Sequence, residues 1–209
     1  ASLSVDQLAV LQAADLAAIN TVAIAGLTPA QVTSLSNTQI GALTTAQFAA
    51  LNSADIVALS ADQVLAMGTA QVAALTTAQL SNLTTAQIEV LETADLRALS
   101  SVQLNALTTA QMQALTLDQV ASLSTAQVRA LETADVATLS NEQIAALSTA
   151  QIQALSTAQI VALSTAQITA IEATDLALMS TVQLAALQSE DLRALTIDQV
   201  AALTAGQLS

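Results

Sequence analysis

The chain keeps an eight-residue register from end to end, and few folds tolerate that period. Its 209 residues equal 26 × 8 + 1. Every eighth residue from Leu3 to Leu203 is apolar, with Ile19, Met67, Ile171 and Met179 as the only departures from Leu. Every eighth residue from Leu8 to Leu208 is Leu, Ile, Val, Met or Phe48. Every eighth residue from Gln7 to Gln207 is Gln at 19 sites, Asp at six and Ala at one, Ala23. No insertion shifts the register, so the structural unit is eight residues or a small multiple of eight.

A continuous helix does not suit this period. Eight residues at about 100° each advance about 80° beyond two turns, so an apolar stripe would wind around the helix and find no fixed partner. A strand suits it poorly too. The two large apolar positions lie three and five residues apart, on opposite faces of a strand. Ala, Gln and Leu also favour helix over strand. A β-solenoid is the alternative reading.

A series of helix starts accounts for every position. With Thr76 as the N-cap, Gln79 is the third helical residue, which completes a Ser/Thr-x-x-Gln capping box. Leu75 precedes the cap and Leu80 is the fourth helical residue, the pair that forms a hydrophobic staple. Pro29, the one proline, falls at the first helical position, where a helix favours it. Twelve of sixteen carboxylates sit at the second or third helical position, where the helix dipole favours negative charge. The second-position set is Asp6, Asp62, Asp118, Glu142, Glu190 and Asp198. The fifth position carries Arg97, Arg129 and Arg193 among other residues and is expected to face solvent. The sixth, mostly Ala, is expected to lie where segments approach closely.

One octad offers two large apolar side chains and cannot hold a helix alone. Stacked octads can bury a continuous ladder. The expected fold is therefore all-α: a solenoid or superhelix of very short, capped helices of about six residues. It is read as a single array over residues 1–209, irregular near 20–27 at Val22, Ala23 and Ile24.

Composition removes most chemistry. The chain has no Cys, His, Trp, Tyr or Lys, so no disulfide, zinc site, haem ligand or histidine base is available. The expected catalytic, cofactor-binding and metal residues are none, and no enzyme activity or cofactor is expected. A net charge of −13 opposes nucleic-acid binding. No apolar run is long enough to span a bilayer: Ala9 to Leu27 is interrupted by Gln12, Asp15 and Asn20. Without an initiator Met or a signal-like segment, the chain reads as a mature form or an excised fragment.

A second period overlies the first. Asp15, Asp55, Asp95, Asp135 and Asp175 recur every 40 residues, and Asp191 alone breaks the series. Their cap positions change as well, to Gln12, Asn52, Glu92, Glu132, Glu172 and Gln188. Tandem duplication of a five-octad block explains this. The alternative is an acidic edge able to attract cations, although it lacks the clustered oxygen ligands of a calcium site. Carboxylate pairs such as Glu92 with Asp95 are expected to be solvated.

The Ser and Thr rows are explained first by capping. An exposed row beside the caps (Thr77, Thr85, Thr109) would offer a regular array to ice or a crystalline polysaccharide. Ala13, Asn37, Ala61, Leu117 and Ile197 interrupt it. The array starts and stops in mid-octad without polar end repeats, so its ends can meet head to tail in a contact that does not close.

The text Leu-Ser/Thr-Thr-Ala-Gln-Ile/Val-x-Ala, as in Leu147 to Ala154 and Leu155 to Ala162, resembles octapeptide arrays of large bacterial secreted or cell-surface, adhesin-like proteins. The resemblance implies an extracellular spacer, stalk or matrix role, with the chain itself or neighbouring repeats as partner. An engineered repeat scaffold is a further alternative, opposed by the uneven drift at Phe48, Met67, Asn82 and Met179.

Overall fold

A computed structural model describes residues 3–207. Over these residues it holds 25 short α-helices and no strand, each helix four to six residues long. The helical reading holds, and the β-solenoid alternative does not.

Helix α10 (Thr77–Asn82) shows how an octad folds. Thr76 is extended, and its side-chain oxygen accepts the Gln79 N–H at 3.2 Å. The Gln79 Oε1 accepts the Thr76 N–H at 2.8 Å. The helix stops at Leu83, whose N–H turns back to the Leu80 carbonyl at 3.1 Å while its ψ opens to 141°. Thr84 follows, also extended, and caps the next helix. Two consecutive extended residues thus redirect the chain once per octad. No described residue has a positive φ, so the turn needs no glycine and any side chain can occupy it. Pro29 opens α4 (Pro29–Thr33) as its first residue.

The chain divides into two compact units, Ala1–Ala114 and Leu115–Ser209. Within the first, α7 (Ser53–Ala58) packs against α4 on one side and α10 on the other. Within the second, α16 (Thr125–Ala130) packs against α19 (Thr149–Ala154), and α22 (Ala173–Ala177) against α25 (Ile197–Ala202). Within each unit, therefore, a helix lies on the third helix along the chain. Each unit is a narrow α-solenoid, with the staple residues pointing to its axis.

The core is one ladder per unit. Phe48, Ile56, Leu80 and Leu96 in the first unit and Val136, Ile160 and Leu176 in the second are fully buried. The Leu residues that precede the caps, such as Leu75 and Leu155, close over them. Ala66, Ala74 and Ala146 at the sixth position are half-buried, and Arg97, Gln113 and Arg129 at the fifth are exposed, as the sequence suggests. Gly41 marks a close approach: a Cβ there would meet the Ala66 carbonyl at 3.1 Å.

The irregular octad still folds. Asn20 caps α3 (Thr21–Ala25) by accepting the Ala23 N–H at 2.9 Å. Beside it lies a cavity of about 250 Å³ walled by Leu3, Leu8, Ile19, Ile24 and Leu27.

Phe48 is the largest fully buried side chain, in a ladder that offers one such residue per octad. Phe48→Ala is expected to cost about 3–5 kcal/mol in urea unfolding followed by circular dichroism.

Candidate functional site

The most elaborate chemistry of the chain is its row of buried glutamines. Gln39, Gln47, Gln63, Gln71, Gln79 and Gln87 in the first unit are at most 5% exposed. Their Oε1 atoms complete the capping boxes. Their Nε2 atoms do something the capping box does not require: they reach four helices back along the chain. Gln79 Nε2 donates to the Phe48 carbonyl at 2.9 Å and the Leu51 carbonyl at 2.7 Å. Gln63 does the same to Val32 and Leu35, and Gln87 to Ile56 and Leu59. In the second unit Gln159 donates to Val128 and Leu131, and Gln199 to Ile168 and Ile171.

The separations are 28 and 31 residues each time. The accepting carbonyls belong to the last turn of a helix, where intrahelical partners run out. One amide group therefore satisfies the start of its own helix and the end of another. With backbone packing at the third helix and side-chain bonding at the fourth, a coil turn closes between three and four octads.

The sequence reading found the box and missed the reach. A local signal for it existed. A capping box accepts Glu as readily as Gln, and the helix dipole favours Glu, yet none of the 26 third positions is Glu. Only the amide carries the donor that the distant carbonyls need.

The third-position Asp residues correct another expectation. They do not form a solvated series. Asp55, Asp95, Asp175 and Asp191 are buried, Asp135 is half-buried, and Asp15 alone is exposed. Asp is one methylene shorter than Gln and has no donor, yet Asp55, Asp95 and Asp191 still accept from the N–H of their caps Asn52, Glu92 and Gln188, at 3.0–3.2 Å. Thr149 and Thr165 donate their hydroxyls to Asp175 Oδ1 and Asp191 Oδ1 at 2.5 and 2.9 Å. Burial pushes Asp55 and Asp135 above the ordinary carboxylate range, and the Glu132 charge adds to the rise at Asp135. Exposed Glu142, at a second position, shows the opposite, held low by a backbone N–H and by Ser140. No group of three or more Asp or Glu able to hold a metal ion occurs among the described residues.

The first-position row is outward-facing at Thr77, Thr85, Thr109 and Thr125. Leu117 and Ile197 occupy the same place and are 47% and 87% exposed. The row is thus a mixture of hydroxyl and aliphatic groups. The cap hydroxyls, by contrast, are committed to backbone N–H groups, as at Ser60, Thr108 and Ser156.

These features define an α-helical repeat protein held together by an amide ladder. Its repeat is also a known one. The ALTTAQ repeat family model matches residues 8–45, 40–69, 88–125, 120–149, 142–170 and 168–205. The matches cover most of the chain, and the chain belongs to the ALTTAQ repeat family. No curated protein matches it. No helix among the described residues is long and apolar enough to cross a membrane.

Replacing Gln79 separates its two roles. Gln79→Leu removes the side-chain donor from the Leu51 carbonyl and leaves the Phe48 carbonyl only the Leu51 N–H, and a loss of about 1–3 kcal/mol is expected. Gln79→Glu keeps an acceptor for the Thr76 N–H but turns oxygen toward oxygen. It is expected to destabilise at neutral pH and to recover part of the loss on acidification, as read by urea unfolding.

Proposed function

We propose that the chain is a structural repeat segment whose work is mechanical: one continuous array that sets a length and joins end to end with further octads of its own kind. The joining partner is a second copy of this chain or the neighbouring repeats of a longer one. The observation that supports this is the apolar surface left on the two end turns. At the start, Leu3 is 38% exposed and Leu11, Ile19 and Leu27 are half-buried, whereas the equivalent Leu35 and its successors to Leu187 are buried. These are residues that precede caps. At the other end the pre-cap residues Leu195 and Leu203 are likewise half-buried, and staples are exposed as well: Leu192 at 51% and Val200 at 45%, against 0% for Leu176. Inside each unit both the pre-cap and the staple residues are buried, and the two end turns leave part of these rows uncovered.

The amide ladder has a polarity. Gln7 is exposed where Gln39, four octads on, is buried. A head-to-tail contact would seat such a donor on carbonyls of the opposite end. Contact between unlike ends leaves a free end at each step, so growth is open-ended.

An extracellular or cell-surface stalk is the setting we propose. It is supported by the resemblance to surface arrays. The family and fold favour a structural role over a catalytic one.

Sedimentation over a concentration series tests the joining. Open-ended growth with concentration is expected, and it should disappear in Leu192→Lys/Val200→Lys. These two sites are half-exposed, so the monomer fold should survive the double substitution. A single monomeric species at every concentration would contradict the proposal.

A further inference from the structure

Asp55 is the most deeply buried carboxylate, and with Asp135 it keeps a buried oxygen that has no hydrogen-bond partner. It is 0% exposed, yet its Oδ1 meets no hydrogen-bond partner. Its Oδ2 accepts the Asn52 N–H at 3.2 Å. Where glutamine stands at this position, the amide bonds carbonyls 28 and 31 residues earlier. For Asp55 those positions are Leu27 and Ile24. The octad thus sets a carboxylate oxygen where the fold elsewhere supplies two N–H donors to two carbonyls.

A substitute donor exists at two other Asp octads. Asp175 and Asp191 take a hydroxyl from the residue 26 positions earlier, Thr149 and Thr165, although Asp135, with Thr109 at the same separation, keeps an unpartnered Oδ2. The residue 26 positions before Asp55 is Pro29, which has no hydroxyl. The proline that suits the start of α4 removes the group that would have served the carboxylate of α7.

No cation makes up the difference. The helices packed on α7 are α4 and α10, and neither carries a charged residue. The helix before it in the chain, Thr45–Ala50, has none. The helix after it contributes only Asp62, and Thr85–Glu89, whose Gln87 bonds the α7 carbonyls, only Glu89. Both acids are exposed, and any influence they have disfavours a second negative charge.

We propose that Asp55 is a proton-binding site of the folded array, in which its neutral carboxyl turns Oδ1–H toward the Ile24 and Leu27 carbonyls, which the 28- and 31-residue register assigns to it, and replaces the missing amide. The proton supplies what the Gln amide supplies in neighbouring octads, a side-chain donor in addition to the Leu27 N–H that already reaches the Ile24 carbonyl at 3.1 Å. Desolvation acts in the same direction, since burial raises this carboxyl. The sign of the linkage follows. With the folded-state value raised, stability from this octad is complete below the unfolded-state value, about 3.9. It is lost as pH rises through the folded-state value. The first unit therefore loosens at one defined place when Asp55 ionises.

Carboxyl carbon NMR on the full chain with labelled Asp, assigned through Asp55→Asn, reads the titration directly. The expected midpoint for Asp55 lies above the ordinary aspartate range. Pro29→Thr, which installs the hydroxyl found at Thr149 and Thr165, is expected to bring it down. Asp55→Gln is expected to raise the unfolding temperature at neutral pH, with the advantage over wild type shrinking as pH falls toward 4. A midpoint in or below the ordinary range, or an Asp55→Gln effect independent of pH, would overturn the proposal: Asp55 would then be charged in the folded chain.

Discussion

The structure depends on a single amide group used twice. Helices of four to six residues are too short to persist alone, and each has ends whose backbone groups want partners. The glutamine at the third helical position meets both needs. Its oxygen finishes its own helix start, and its nitrogen finishes the end of a helix one coil turn away. Hydrophobic burial supplies the larger driving force, but apolar contact has no direction. The amide has two fixed ends, and it sets which helix lies over which.

This constraint explains the tolerance of the remaining positions. The fifth helical residue varies through Ala, Thr, Gln, Glu and Arg because it faces outward. Staple residues range from Val to Phe48 because the axis accepts any apolar volume that its neighbours allow. The glutamine position admits Asp only where something else changes with it. At Asp175 and Asp191 a threonine hydroxyl intervenes, and at Asp55 the carboxyl is left with its own proton as the available donor.

Much of the local fold was legible from residue types alone. The box of Thr76 with Gln79, the staple of Leu75 with Leu80 and the placement of Pro29 each follow from interactions within an octad. What acts between octads was harder to read. The bond from Gln79 to Phe48 spans 31 residues and leaves no adjacent pattern. Neither 28 nor 31 is a multiple of eight, so a search for the repeat period does not find it. The burial of Asp55 and Asp95 was misread for the same reason: a first-turn carboxylate belongs at the surface of an isolated helix, and only the neighbouring coil turn covers it. The strict exclusion of Glu was the one visible sign that the third position serves more than its own helix.

Side-chain amide NMR on the intact chain tests the ladder most directly. If Gln79 Nε2 bonds the Phe48 and Leu51 carbonyls, its amide protons should exchange far more slowly than those of exposed Gln7. They should also show scalar coupling across the hydrogen bonds to those two carbonyl carbons. A Gln79 amide that exchanges as fast as Gln7, with no coupling to either carbonyl, would contradict the central claim.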